Sequence, residues 1–265
     1  MAAEPESSGR KFGGKNVVVT GGARGIGRAI AEKFHSAGAS VYLVDRNARE
    51  GREAANSMMR PGCPQVNLIQ ADLSDETAIR RIAEEMGTLS GRVDVLVNNA
   101  GIELEQSVDD VTVDGWEQVM AVNLRAPLLL TQALLPHFPA SGGAIVNISS
   151  IHAFRAFPNS ISYACSKAGL LALTRNLALE LASRQIRVNA ICPGYIDTQL
   201  WEDYLKSAED PDRLAEETRT LHPLGRRGLP EDIAGAALFL ADSDSSFMTG
   251  AHLVLDGGLT IRAHP

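Results

Sequence analysis

Asn16-Val17-Val18-Val19-Thr20-Gly21-Gly22-Ala23-Arg24-Gly25-Ile26-Gly27 is the stretch that decides the fold. Three consecutive valines read as a strand buried on both faces. The glycines that follow let the backbone turn tightly and approach another group closely. A helical pattern then opens at Gly25. A helix N-terminus presents free N–H groups and a partial positive charge, which together suit a pyrophosphate. The spacing Gly21-x-x-x-Gly25-x-Gly27 differs from the common Gly-x-Gly-x-x-Gly fingerprint. Its place, after a first strand and at the start of a helix, is the context a phosphate-binding loop requires.

Outward from this stretch, β-rich runs alternate with helical patterns. Strands are expected over 16–20, 40–45, 65–70, 93–97, 143–149, 187–191 and 252–255. Helices are expected over 25–37, 48–59, 75–87, 113–138 with a break near Pro127, 162–183, part of 200–220, and 230–241. Continuous apolar strands separated by helices predict an α/β fold, a doubly wound parallel seven-stranded sheet with helices on both faces. The 265 residues, 45% hydrophobic, suffice for one large domain. No linker divides residues 15–265. Residues 1–14 are polar and are expected to form a flexible tail without a signal-peptide pattern. No run of 18 apolar residues occurs, so no membrane span is expected. The net charge of -7 argues against nucleic acid as partner. Cys63, Cys165 and Cys192 lack metal-ligand spacing. Their odd number suggests reduced thiols in a cytoplasmic setting, with Cys165 a packed small residue. Residues 194–228 have no firm pattern and read as a substrate loop or lid.

Asp45 ends the second strand, eighteen residues after Gly27. A carboxylate there accepts both hydroxyls of an adenosine ribose and repels a 2′-phosphate, which favours NAD over NADP. Arg24 and Arg46 pull the other way, since each can attract that phosphate. Asp72 and Leu73 are placed to hold the adenine, although Asp72 equally suits a helix cap. Asn98-Asn99-Ala100-Gly101 reads as a tight bend after the fourth strand.

Tyr163 and Lys167 stand four apart in a helical run, so phenol and ammonium share one face. A tyrosine beside a lysine can serve as a base. Lowering a phenol from ~10 to ~7 requires roughly 4 kcal/mol. One positive charge at about 4 Å supplies on the order of 4 kcal/mol, and burial opposes it. The lysine alone is therefore marginal.

These pieces occur in one order along nearly the whole chain: Thr20-Gly21-x-x-x-Gly25-Ile26-Gly27, Asp72, Asn98-Asn99-Ala100-Gly101, Asn123, Ser150, Tyr163-x-x-x-Lys167 and Pro193-Gly194. The sequence resembles the short-chain dehydrogenase/reductase family, a single Rossmann-type domain of about 250 residues. The resemblance implies that Ser150, thirteen residues before Tyr163, hydrogen-bonds the substrate oxygen. It implies that Tyr163 moves the hydroxyl proton, that Lys167 lowers the tyrosine pKa and binds the nicotinamide ribose, and that Asn123 supports a water relay. Pro193, Gly194, Ile196 and Thr198 resemble the segment beside the nicotinamide. A homotetramer through the apolar helix over 162–183 is also implied.

The substrate reads as a small-molecule alcohol or carbonyl compound. Glu103, His152, Tyr195 and Trp201 are expected to face it, with Phe154, Phe157 and Leu200 as further apolar walls. Glu103 and His152 suit a sugar or polyol, and the aromatics suit a steroid or another ring. Oxidation of a secondary alcohol with NAD stands first, reduction of a 3-oxoacyl thioester with NADPH second, and a non-catalytic cofactor-binding scaffold third. No catalytic metal is expected.

Overall fold

The first strand, β1 (Asn16–Thr20), lies inside a seven-stranded parallel sheet, as its unbroken valines require. The computed structural model describes residues 11–262. The other strands are β2 (Ser40–Asp45), β3 (Val66–Gln70), β4 (Val95–Asn98), β5 (Gly143–Ile148), β6 (Ile186–Pro193) and β7 (His252–Leu255), in the order β3-β2-β1-β4-β5-β6-β7. Strand order reverses between β1 and β4. The carboxyl ends of these two strands therefore splay apart into a crevice, the usual ligand position in a doubly wound sheet.

The helices follow in the expected places: α1 (Gly25–Ser36), α2 (Ala48–Met58), α3 (Glu76–Leu89), α4 (Val113–Met120), α5 (Ala126–Leu134), α6 (Ile161–Leu181), α7 (Gln199–Ser207), α8 (Pro211–Leu221) and α9 (Pro230–Ala241). Ile30 and Phe34 of α1, Met58 of α2 and Leu240 of α9 pack with Val17, Val19 and Val41 on one face of the sheet. Ile82 of α3, Leu130 and Leu134 of α5 and Leu177 of α6 pack with Val18 and Leu96 on the other. Side-chain caps start several of them, Asn47 for α2 and Asp75 for α3 among them.

Four expectations change. The break expected near Pro127 is a π turn at Ala121–Arg125, between α4 and α5. Proline disturbs a helix upstream of itself: it has no N–H for the Asn123 carbonyl four residues back, and its ring crowds that carbonyl. Residues 113–137 are long and apolar enough to cross a membrane by composition, yet Leu130 and Leu134 lie in the core. The tail expected over 1–14 is docked from Lys11 onward, its earlier part lying outside the described residues. Phe12 is buried against the edge of the Phe34 ring, its N–H donates to the Ala37 carbonyl, and Lys11 pairs with Asp242 at 3.0 Å. The stretch 194–228 is a helix pair, α7 and α8, closed at its base where Ile196 bridges Gly228. Cys165 is exposed on the outer side of α6 rather than packed.

Candidate functional site

A cleft of about 710 Å³ opens at the carboxyl ends of the strands, with the glycine loop at one end and Tyr163 at the other. Gly21 adopts φ +62°, and a Cβ there would stand 2.9 Å from Asn99 Nδ2. A Cβ on Gly27 would meet the Gly21 carbonyl at 2.1 Å, so Gly27 supports the loop from behind and does not line the cleft. Asn99 fixes the loop by donating to the carbonyls of Thr20 (2.8 Å) and Gly21 (3.2 Å). The Thr20 hydroxyl in turn accepts from the N–H groups of Asn99 and Ala100 at 2.9 and 3.0 Å. Arg24, the residue just before α1, gives no side-chain cap, and the first turn holds no acid. The first-turn N–H groups of Gly25 and Ile26 thus lack a side-chain acceptor where these residues line the cleft.

Asp45 sits at the end of β2, its carboxylate accepting from Ala23 N (3.1 Å) and Asn47 N (3.0 Å). Arg24 and Arg46 are exposed at the rim. Asp72 does not cap α3, a role Asp75 takes. Asp72 receives the amide and hydroxyl of Ser74, which hold its pKa down, and it lines the cleft with Leu73. Gly cradle, uncapped helix end and strand-end carboxylate fit the pyrophosphate and ribose of a nicotinamide dinucleotide.

At the other end the cleft brings Ser150, Tyr163 and Lys167 together beside Pro193, Gly194, Ile196 and Thr198. Lys167 is buried, and its Nζ donates to the Ile148 carbonyl at 2.9 Å and lies 5.4 Å from the Tyr163 ring centre. Burial lowers the lysine pKa to about 8. Burial raises the Tyr163 phenol, Glu103 adds to the rise, and a hydrogen bond with Ser150 opposes it. In the protein alone Lys167 therefore does not bring the phenol toward neutrality, in keeping with its marginal charge effect.

The Asn123 side chain is committed to the backbone of Ile102 and to Ser166. Its Oδ1 accepts from Ile102 N (2.9 Å), and its Nδ2 donates to Ile102 O (2.8 Å) and Ser166 Oγ (3.0 Å). The side chain is fully buried behind Gly101 and tethers the bend after β4 to α6. A second tether was not foreseen. Asn98 donates to Asn147, which donates to Thr174 on α6, at 2.8 and 2.9 Å. Nothing in the local spacing of three polar residues on separate elements signals that chain.

Of the residues expected to face the substrate, Glu103, His152, Phe157, Tyr195 and Trp201 line the cleft. Phe154 instead lies on the surface beside His252, and the Leu200 side chain lies outside the described ones. The Phe157 ring stacks on His152 at 4.1 Å, and His152 meets Tyr163 edge-on at 5.2 Å. Burial, with Lys167 nearby, lowers the His152 pKa to about 4, so the ring is neutral near pH 7. Its Nδ1 is 4.0 Å from Glu103, too far for a hydrogen bond, and has no hydrogen-bond partner among the described residues. Glu103 accepts from Ser160 at 2.7 Å, and burial raises its pKa. Sequence reading missed Ser160, Glu105 and Tyr204. Asn159, at φ +59°, is the signal that remained: it turns the chain so that its carbonyl receives Gln106 N (2.8 Å), which brings Ser160 against Glu103.

Comparison with known proteins agrees with this geometry. Residues 21–260 match the family model described as enoyl-(acyl carrier protein) reductase. The chain is 39% identical over 251 residues to 3beta-hydroxysteroid dehydrogenase 1 of Eggerthella lenta, covering 94% of each chain. It is 36% identical over 251 residues to L-fucose dehydrogenase of Bos taurus, covering 94% of this chain and 91% of that one. A Beutenbergia cavernae structure, assigned as an NAD(P)-dependent gluconate 5-dehydrogenase and holding NADP at low occupancy, superposes with a TM-score of 0.86 at 37% identity, covering 95% and 99%. The chain belongs to the short-chain dehydrogenase/reductase family. It is an NAD(P)-dependent oxidoreductase acting on CH–OH or carbonyl groups.

The titration of His152 gives a test of this packing. Its folded pKa, about 4, lies below the ordinary 6.5, so the unfolded chain binds the extra proton first. The resulting stability is fully present above pH 6.5 and is lost as pH falls toward 4. Solvent screening and the facing Glu103, Tyr163 and Lys167 leave about 2 kcal/mol of it. Urea denaturation across pH 7 to 4 should show wild type losing that much relative to His152→Phe. Parallel pH profiles for the two proteins would place the ring in water.

Proposed function

We propose that this protein oxidises a secondary alcohol to a ketone with NAD. The observation that carries the reading is the enclosure of Ser150, Tyr163 and Lys167 at one end of a cleft whose other end is the glycine cradle. When bound, the nicotinamide group supplies the hydride acceptor in oxidation and the donor in reduction. Ser150 donates a hydrogen bond to the substrate oxygen. Tyr163 takes the hydroxyl proton and returns it in the reverse direction. Lys167 favours the phenolate by its charge and holds the nicotinamide ribose. Asn123 supports a water relay to Lys167, and its side chain holds Ile102 and Ser166 in place. The α7–α8 pair over 194–228 is the lid, with Tyr195 and Trp201 on its inner side.

Asp45 supports NAD. It lines the cleft at the ribose end, and a 2′-phosphate beside it meets a repulsion of several kcal/mol at about 4 Å, even after screening. Reduction of a carbonyl with NADPH is the second reading, favoured by exposed Arg24 and Arg46 and by the NADP in the Beutenbergia cavernae structure. A homotetramer through α6 completes the proposal: Leu179, on the side of α6 away from the core, is 81% exposed in a single chain.

Three measurements examine these statements. Tyr163→Phe should lower turnover at least ~100-fold, the lower end for lost acid–base catalysis, and near-normal turnover would refute the mechanism. Steady-state kinetics with both cofactors should give a higher kcat/KM with NAD, and equal or better efficiency with NADP would remove the Asp45 assignment. Light scattering should return the mass of four chains, and a monomer would overturn the α6 interface.

A further inference from the structure

The substrate end of the cleft carries polar groups that the proton-transfer chemistry leaves unused. Among the described residues, His152 Nδ1 and the Trp201 indole N–H are buried with no hydrogen-bond partner. Both residues line the cleft, and Trp201 as a whole is only 7% exposed. His152 is held rigidly, stacked on Phe157 and edge-on to Tyr163. Trp201 is held between Tyr195 and the Arg227 guanidinium, which lies 5.1 Å from its ring centre. Glu103 keeps one oxygen on Ser160 and has acceptor capacity left. Buried polar groups without partners are uncommon and usually mark an unseen ligand or water. An indole donor, a carboxylate acceptor and an imidazole nitrogen that gives or takes a proton form a set that one kind of substrate satisfies: a hydroxyl both donates and accepts.

From this arrangement we infer that the substrate is a neutral polyhydroxylated ring, a monosaccharide or cyclitol, whose further hydroxyls bind Glu103, His152 and Trp201 while the reacting one binds Ser150 and Tyr163. The inference rests on the alcohol-oxidising reading above and narrows it. An apolar ring leaves the three groups unpaired, each at roughly a tenfold loss or more. A substrate carboxylate is rejected by charge. Glu103 and Glu105 both line this end, while Arg24 and Arg46 stand at the ribose end, Lys167 is turned to Ile148, and Arg227 beside Trp201 is paired with Asp197.

The test is a kcat/KM panel on the full-length protein with NAD, reading NADH formation. The probes are neutral aldohexoses and inositol, cyclohexanol, a 3β-hydroxysteroid and gluconate. A neutral polyol should exceed cyclohexanol, the steroid and gluconate by at least ~10-fold. Glu103→Gln keeps an amide able to hydrogen-bond and removes the charge. It should raise the gluconate-to-hexose ratio at least ~10-fold, which a merely structural role would not do. Trp201→Phe should reduce the hexose-to-cyclohexanol ratio by a similar factor. A steroid, cyclohexanol or gluconate preferred by wild type overturns the inference and leaves alcohol oxidation standing, as does an unchanged gluconate ratio in Glu103→Gln. Failure of the underlying reading looks different: no probe is turned over by wild type, and Tyr163→Phe is indistinguishable from it.

Discussion

A buried ammonium is the constraint around which this site is organised. Lys167 Nζ is held out of water with a single carbonyl, Ile148 O, as its hydrogen-bond acceptor, and burial pulls its pKa down to about 8. A charge in that position is costly unless something negative develops nearby. The Tyr163 phenol four residues earlier is the group beside it, and it has the complementary problem, since burial disfavours its phenolate. Glu103 offsets part of the lysine's burial but pushes the phenol further up, so in the proposed mechanism Lys167 favours the phenolate together with a bound, positively charged nicotinamide. That shared role requires the helix carrying both to be placed firmly.

The placement comes from polar tethers inside an otherwise apolar core. Asn98, Asn147 and Thr174 connect β4 and β5 to α6, Ser149 donates to the Lys167 carbonyl at 3.0 Å, and Asn123 ties the bend after β4 to Ser166. These bonds lock α6 along the sheet while Leu170, Leu177 and Leu181 bury its inner face. The sheet reversal between β1 and β4 does the rest. It sets the glycine loop and Tyr163 in one cleft at the carboxyl ends of the strands, the usual place of a dinucleotide.

Much of this was legible in the chain itself. Unbroken valines and isoleucines marked buried parallel strands, and glycines and asparagines marked the turns between them. The residues proposed to act on cofactor and substrate were legible because they stand at the family's spacings, Gly21 to Gly25 and Ser150 through Lys167. Residues acting across the fold were not. Asn147 and Thr174 meet only after β5 and α6 have packed, and Ser160 reaches Glu103 only because Asn159 adopts a left-handed turn. Phe154 showed the converse failure: it lies two residues from His152 yet faces solvent, because a 3₁₀ turn at Ile151–Ala153 rotates it away. The π turn before Pro127 was likewise displaced upstream, since proline acts on the carbonyl behind it.

The most direct test of the central coupling is the pH dependence of kcat/KM for alcohol oxidation in wild type and in Lys167→Met. Tyr163 must lose its proton to act as base, so the wild-type rate should rise with pH to a plateau. Removing the ammonium leaves burial and Glu103 to hold the phenol up, and the midpoint should move at least about one pH unit higher. A variant that is slower at every pH but keeps the wild-type midpoint would contradict the account, because Lys167 would then position the site without acting on the tyrosine.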